Sequence, residues 1–494
     1  METLDWLVIG IFFLALIGII VWVVKQKQND SADYFLGGRD ATWLAIGASI
    51  FASNIGSEHL IGLAGAGASS GMAMAHWEIQ GWMILILGWV FVPFYSRSMV
   101  FTMPEFLERR YNPQSRTILS VISLISYVLT KVAVTVYAGG LVFQQVFGIK
   151  ELWGIDFFWI AAIGLVILTA LYTIFGGMKS VLYTSILQTP ILLLGSLIIL
   201  VLGFKELGGW DEMMRICGAV TVNDYGNTMT ELIRSNNDPN FPWLGALIGS
   251  AIIGFWYWCT DQFIVQRVLS GKNEKEARRG TIFGAYLKLL PVFLFLIPGM
   301  IAFALHQKYL GTGGEGFLPM LANGNANADA AFPTLVAKLL PAGVKGLVVC
   351  GILAALMSSL ASLFNSSAML FTIDFYKGFK PNTSEKKLVG IGQMATVAIV
   401  ILGILWIPIM RSVGDVLYTY LQDVQSVLAP GIAAAFLLGI CWKRTSAQGG
   451  MWGLIAGMII GLTRLGAKVY YSNVGDVSSS TFKYLFYEDR KSVV

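Results

Sequence analysis

The chain has 494 residues, of which 56% are hydrophobic and only 13% are charged, and its formal net charge is +5. Because soluble proteins average about 25% charged residues, this composition excludes a soluble globule and predicts an all-α polytopic membrane protein. The basic residues lie in short loops and give no sign of a nucleic-acid partner. The four cysteines and three histidines show no disulfide, zinc or haem spacing.

Apolar runs of roughly the length that crosses a bilayer predict about twelve membrane spans. In chain order they cover residues 4–25, 42–70, 77–97, 117–146, 155–175, 180–203, 241–268, 281–306, 341–375, 387–410, 414–441 and 447–470. The first run is followed, rather than preceded, by basic residues, and it lacks a clear small-residue cleavage site. We therefore interpret it as a retained span and not as a signal peptide.

The loops differ in their content of Lys and Arg, which sets the expected orientation. One side of the predicted membrane carries nineteen of these residues and the other side eight. The rich side should be cytoplasmic, which places the N-terminus outside a plasma or bacterial inner membrane. Two outer loops are long, at about 204–240 and 307–340, and the second is rich in Gly, Asn and Ala, as in a mobile segment or a cap.

Spans two to six and seven to eleven form two sets of five. An odd set that is repeated must insert in opposite orientations, which is typical of secondary transporters built as inverted repeats. The predicted organisation lists an N-terminal flanking span, a first five-helix repeat, an outer loop, a second five-helix repeat, and a C-terminal flanking span with its tail: 1–30, 40–204, 205–240, 241–441 and 445–494.

Two stretches, 53–59 and 256–262, place polar or ionisable side chains inside apolar spans, and each lies in the first span of its repeat. A charge at mid-bilayer costs roughly 2.5–3.5 kcal/mol even on a lenient scale, so such residues suggest function. Asn54, Gly56 and Ser57 are poor helix formers, and an unwound turn there would free carbonyl oxygens for a hard cation. Alternatively, the small residues serve close helix packing.

The ninth span carries Ser358 and Ser359, three and four residues after Ala355, so these three residues share one helix face. Two hydroxyls and a carbonyl would make half of a sodium shell. The alternative is that each serine bonds back to its own helical turn, as serines in membrane helices commonly do.

Further polar groups suit a neutral solute with many hydroxyls, because Glu78 accepts, Lys288 donates and Gln422 does both. Tyr257 or Trp258 would cover the apolar face of a sugar. Alternatively, Glu78 lies at the membrane interface, and Lys288 either reaches towards water or pairs with a carboxylate.

Two further charged residues lie in or near these stretches. Asp261 follows the aromatic residues and is equally suited to cap a helical turn. Lys131 lies inside an apolar span, and the sequence names no carboxylate partner for it, so we assign it a structural role. No nucleophile–base pair or metal cluster is apparent, so an enzyme is not expected.

Together these stretches resemble the sodium/solute symporter family, and within it the sodium/glucose cotransporters. The resemblance runs from about Asp33 to Arg464, and its motifs, in matching order, are 51–57, 256–262, 286–289, 357–360 and 420–422. It implies the leucine-transporter-type fold, in which two inverted five-helix bundles are accompanied by flanking helices.

The resemblance also implies ligands. Sodium would be bound by carbonyl oxygens and hydroxyls of five residues: Ala52, Ile55, Ala355, Ser358 and Ser359. The sugar would meet Asn54, His59, Glu78, Lys288 and Gln422. Tyr257 would close the site towards the cytoplasm, with Trp258 beside the sugar.

The chain departs from the family pattern at several positions. Ser185 follows Thr184 where relatives often have Asp, and Ala361 stands where two-sodium members carry a hydroxyl. Both weaken a second cation site and predict one sodium per sugar. Gly254 stands where relatives offer a polar side chain to the sugar. Relatives usually have fourteen spans, two more than predicted here, and the tail beyond residue 468 turns polar before a short apolar segment at 482–487.

The sequence therefore predicts a sodium-driven hexose importer that works by alternating access in the cell membrane. Its expected partners are Na⁺, a small polar solute and membrane lipid. One alternative is another solute of the same family, such as inositol, sialic acid, an amino acid or an anion. A second is a channel or a sodium-linked sensor without turnover.

Overall fold

A computed structural model describes residues 1–494 apart from 27, 29, 57, 224–225, 239–240, 322–323, 414–416 and 474–494. Within helices, the side chains of residues 129, 145, 409–413, 417–424, 465 and 468–473 are also outside the description. The polar tail with its apolar segment at 482–487, and Ser57, therefore lie outside the described residues.

The described chain is almost entirely helical. Eight of its helical stretches are long and apolar enough to cross a membrane: Thr3–Val24, Glu58–Ser98, Pro113–Gln144, Phe157–Leu207, Trp243–Thr260, Glu274–Gly311, Val344–Phe379 and Glu385–Pro408. The other helices are Ser31–Leu36, Trp43–Asn54, Met103–Arg110, Trp210–Gly218, Gln262–Leu269, Ala331–Leu339, Leu417–Cys441 and Ala447–Asn473, and short 3₁₀ turns cover Gly37–Arg39 and Ala328–Ala330. The antiparallel strands Glu151–Leu152 and Ile155–Asp156 form a small hairpin.

Each of the twelve predicted spans overlaps a helix. The predicted spans 155–175 and 180–203 run together as the helix Phe157–Leu207, which is kinked at Gly177. Gly177 has a φ of +53°, and a Cβ atom there would lie 2.4 Å from the carbonyl oxygen of Tyr34, so only glycine fits the kink. The all-helical fold class is confirmed, whereas the number of membrane crossings stays a prediction.

Two helices are interrupted where the sequence predicted breaks. We call them the first and the second broken helix. In the first, Trp43–Asn54 ends at Ile55, whose backbone is extended (φ −79°, ψ 102°), and helical structure resumes at Glu58. In the second, Asp261 is extended (φ −74°, ψ 126°) between Phe255–Thr260 and Gln262–Leu269. The predicted unwound turn is therefore present, and each repeat begins with a broken helix.

The helix Val344–Met369 lies at the centre of the core. Most of its residues are buried, and it packs closely along Phe157–Leu207. At Gly195 and Gly351 a Cβ atom would lie 3.3 Å from a backbone Cα atom of the facing helix, so glycine brings the two backbones together. This close packing places Ser358 and Ser359 against the first broken helix.

The two long loops that are predicted to lie outside both pack against the stretch Glu58–Ser98. The main-chain N–H of Met72 donates to the carbonyl oxygen of Met229 at 2.8 Å. In the second loop, Asp329 lies so close to Gly65 that a Cβ atom there would come 2.6 Å from its carboxylate. The loop 307–340, which the sequence predicted to be mobile or a cap, thus includes a segment packed as a cap.

Candidate functional site

The break in the first broken helix faces the hydroxyl of Ser359. Ser359 Oγ donates to the carbonyl oxygen of Ser53 at 2.7 Å and lies 3.5 Å from that of Ile55. Ser359 therefore bonds across to the neighbouring helix, and the alternative that it bonds to its own turn is wrong. By contrast, Ser362 bonds back to the carbonyl oxygen of Ser358 at 2.7 Å.

The remaining residues of the predicted sodium site surround this contact. Ala52 lies in the last turn before the break, and Ala355 lies one turn before Ser359 on the central helix; both are buried. The Ser358 hydroxyl is 3.3 Å from that of Ser185, the residue that stands where relatives often have Asp. The donor set consists of neutral oxygen atoms at an unwound turn, which fits a small hard cation. Its role in binding sodium stays a prediction.

Three ionisable side chains meet beyond the break, two from the stretch Glu58–Ser98 and one from Glu274–Gly311. The Lys288 ammonium lies 2.6 Å from Glu78 Oε2, and His59 Nε2 lies 3.1 Å from Glu78 Oε1. Lys288 Nζ is also 2.8 Å from His59 Nε2. Each of the three residues is at most 4% exposed. Glu78 therefore lies inside the protein rather than at an interface, and Lys288 pairs with a carboxylate instead of reaching towards water.

Aromatic side chains of the second broken helix adjoin this triad of His59, Glu78 and Lys288. The ring of Trp258 lies 5.6 Å from Lys288 Nζ. Tyr257 accepts a hydrogen bond from Asn54 Nδ2 at 2.9 Å, which joins the two broken helices directly. The other polar atom of Asn54, its Oδ1, is buried and accepts no hydrogen bond from any described group. An unpaired buried acceptor of this kind is suited to a donor supplied by a ligand.

At the break in the second broken helix, the carboxylate of Asp261 is bonded by other residues of the protein. Asp261 Oδ2 pairs with Lys131 Nζ at 2.6 Å, while its Oδ1 accepts a hydrogen bond from the Tyr127 hydroxyl. Asp261 also caps the following helix by accepting the N–H of Phe263. The ammonium of Lys131 lies 4.7 Å from the centre of the Tyr257 ring. Asp261 is therefore both a cap and an ion-pair partner.

The sequence alone did not predict a role for Tyr127 or a partner for Lys131. Tyr127 precedes Lys131 by one helical turn, and that spacing puts both side chains on one face of the helix. This was the available signal, but the partner is 130 residues away in sequence. The side chain of Gln422, predicted to bind the solute, lies outside the described residues; its backbone is part of the helix Leu417–Cys441.

Comparison with known proteins gives a consistent result at the level of sequence. The family model for the sodium:solute symporter family matches residues 34–457. The human sodium/myo-inositol cotransporter 2 is 39% identical over 479 residues, covering 94% of this chain and 70% of that protein. The human sodium/myo-inositol cotransporter is 37% identical over 488 residues, with 94% of this chain and 67% of that protein covered.

Solved structures agree on the fold. A substrate-bound, outward-open Na⁺-coupled sialic acid symporter matches with a TM-score of 0.76 at 21% identity, covering 94% of this chain and 98% of that chain. MhsT in complex with L-phenylalanine matches with a TM-score of 0.55 at 14% identity, with 88% and 97% covered. At these identities the likeness extends to the fold alone, and it agrees with the inverted five-helix repeats predicted from sequence.

Proposed function

We propose a substrate class and a stoichiometry for this chain, which belongs to the sodium:solute symporter family. The chain is a multi-pass membrane transporter that couples the movement of a small solute to that of sodium, and it is not an enzyme. The proposed solute is an uncharged ring that carries several hydroxyl groups, and one sodium ion accompanies each molecule. Transport proceeds by alternating access, with the outer and inner faces opening in turn.

The observation that carries this proposal is the triad of His59, Glu78 and Lys288. One carboxylate and one ammonium compensate each other at 2.6 Å, so a charged solute finds no unbalanced partner there. Together with the imidazole, the triad offers both donors and acceptors, which is what an array of hydroxyls requires. The Trp258 ring beside the triad suits the apolar face of a six-membered ring. We infer that Asn54 and Tyr257 complete this site, and that Gln422 contributes from the eleventh predicted span.

Two solutes fit this chemistry, a hexose and myo-inositol. The sequence alone favoured a hexose. Two relatives that are 37–39% identical carry names that specify sodium and myo-inositol. We therefore favour myo-inositol over a hexose as the transported solute. Sialic acid and other anions fit less well, because the ammonium of Lys288 is already paired. An apolar amino acid also fits less well, because its side chain has no hydroxyl groups that could hydrogen-bond to the buried ion pair.

Sodium drives the cycle from the first broken helix. Ala52, Ile55, Ala355, Ser358 and Ser359 supply neutral oxygens, so a bound sodium retains its positive charge, and each charge that enters releases about 2.3 kcal/mol per 100 mV of membrane potential. Because Ala52 and Ile55 of the sodium set and Asn54 and His59 of the solute set lie on the same short segment, ordering that segment for one ligand favours the other. The coupling is reciprocal: sodium tightens solute binding by the same factor by which solute tightens sodium binding.

The direct test is uptake into proteoliposomes with an imposed inward sodium gradient, using labelled myo-inositol and labelled glucose. We expect accumulation above the outside concentration, a preference for myo-inositol, and loss of accumulation when potassium replaces sodium. Downhill flux without accumulation would support a channel or sensor instead. A preference for glucose would reverse the order of the two solutes.

Matched variants connect that uptake to the site. Lys288→Ala and Gln422→Ala should abolish accumulation. Lys345→Ala should retain it, because among the described groups this lysine bonds only the carbonyl oxygen of Ala337. Initial rates should rise with sodium concentration without cooperativity. A clearly cooperative, two-ion dependence contradicts the proposed stoichiometry.

A further inference from the structure

Gln80 is a polar residue of the solute-binding region to which neither the sequence motifs nor the triad gives a role. It begins the short turn Gln80–Trp82, two residues after Glu78. Its carbonyl oxygen, Oε1, is buried and accepts no hydrogen bond from any group in the described part of the chain. Leaving an amide oxygen unpaired in an apolar interior is costly, so this atom is expected to meet a donor that the protein does not supply.

The side-chain amide of Gln80 lies in the space that a side chain on Gly254 would fill. A Cβ atom built on Gly254 would lie 2.9 Å from Gln80 Oε1 and 3.4 Å from Gln80 Cβ. Any side chain at position 254 would therefore compete with the amide for the same volume. Gly254 is the last residue of Trp243–Gly254 and precedes the aromatic segment of the second broken helix.

Two neighbours connect this amide to the triad. Gly254 lies one turn before Trp258 on the same helix, and the ring of Trp258 is 5.6 Å from Lys288 Nζ. On the other side, a Cβ atom at Gly81, the residue after Gln80, would lie 2.6 Å from Cγ of Lys288. The amide thus contacts Gly254 at the start of the aromatic segment, and the next residue in the chain contacts the stem of Lys288, so Gln80 adjoins two elements of the proposed solute site.

We propose that Gln80 is a specificity-determining residue, whose Oε1 accepts a hydrogen bond from one hydroxyl group of the transported polyol. This inference rests on the function proposed above, because it assumes a solute with several hydroxyls. Gly254 then contributes to the same specificity, because its lack of a side chain leaves room for the Gln80 amide to face the solute. A neutral acceptor adds selectivity for one hydroxyl without disturbing the charge balance of the triad.

The test compares the transport of myo-inositol with that of its monodeoxy analogues, each lacking one hydroxyl, in proteoliposomes. Gln80→Leu keeps much of the side-chain volume and removes the acceptor. We expect it to raise the KM for myo-inositol roughly tenfold, as the loss of one hydrogen bond in a buried site would. The KM for one analogue, the one without the bonded hydroxyl, should stay unchanged. A structural role for Gln80 would instead raise the KM for every compound alike, which would overturn the proposal, as would no change at all.

A second variant keeps the inference testable if Gln80→Leu is poorly folded. Gly254→Ala leaves the amide in the chain but pushes it aside without adding a polar group, and it should spare the same single analogue. Gln393→Leu is the control, because that half-buried glutamine bonds the carbonyl oxygen of Ile174 and lies in a different helix; it should leave all KM ratios unchanged. If the wild-type protein transports no polyol, the proposed function fails; if it transports polyols and both variants keep its selectivity, only the role of Gln80 fails.

Discussion

The two broken helices differ in how the polar groups at their breaks are bonded. At each break an extended residue interrupts the hydrogen bonds of the helix, and membrane interiors do not supply water to replace them. At Asp261 the protein supplies the replacement, through the Lys131 ammonium, the Tyr127 hydroxyl and the N–H of Phe263. At Ile55 the hydroxyl of Ser359 meets the carbonyl oxygens of Ser53 and Ile55, and the carboxylate of Glu58 lies beside Gly56, where a Cβ atom would come 2.5 Å from its Oε2.

This difference indicates which break is available to a ligand. Carbonyl oxygens that are only partly satisfied can turn towards a cation, and no fixed positive charge need be displaced. At the second break, a cation would have to compete with the ammonium of Lys131, 2.6 Å from the carboxylate. The first break thus suits the proposed exchange of sodium, whereas the ion pair at the second break stabilises the segment whose aromatic residues are proposed to contact the solute.

The largest expected effect comes from removing the ion pair at the second break. Asp261→Ala leaves Lys131 buried without its carboxylate, and removing one partner of a buried pair costs about 3–5 kcal/mol. We expect a strong fall in the melting temperature of the protein in detergent. The double variant Asp261→Ala with Lys131→Met should recover most of it. Equal melting temperatures for the single and double variants would mean that this pair does not hold the second break.

An intermediate effect is expected at the first break, and on ligand binding rather than on stability. Ser359→Ala removes a hydroxyl proposed to meet sodium, and contacts to charged groups contribute about 1.5–3 kcal/mol. The sodium concentration for half-maximal uptake should rise roughly ten- to a hundredfold, with little change in melting temperature. Ser362→Ala is the matched control, because its hydroxyl bonds its own helix. An unaltered sodium dependence in Ser359→Ala would move the cation away from the first break.

The smallest effect concerns the contact that joins the two breaks. Tyr257→Phe removes the acceptor of the Asn54 amide but keeps the ring, and a neutral hydrogen bond contributes about 0.5–1.5 kcal/mol. The KM for the solute should rise a few-fold, while the sodium dependence at saturating solute stays near that of the wild type. A shift in sodium dependence as large as that of Ser359→Ala would show that the two breaks do not act separately.

Much of this arrangement could be predicted because its signals are local. Poor helix formers and polar side chains inside apolar runs marked both breaks, and the serines on one face of the ninth span marked the residues that meet the first. Each signal is a property of a short stretch of chain by itself. It is either the low helix propensity of Asn54 and Gly56 or the free-energy cost of burying a charge. The motif order then identified the family and its fold.

Which groups meet across helices was decided only by the tertiary structure. The pairs Lys131 and Asp261, Gln80 and Gly254, and Glu78 and Lys288 lie on helices far apart in sequence, and their contacts depend on helix rotation and tilt. A shift of one residue in the packing of a helix turns a side chain by about 100°, which no local pattern records. By itself the sequence determined where polar groups must be buried; the packing of the helices, through the glycines that let them approach, decided which partners make that burial stable.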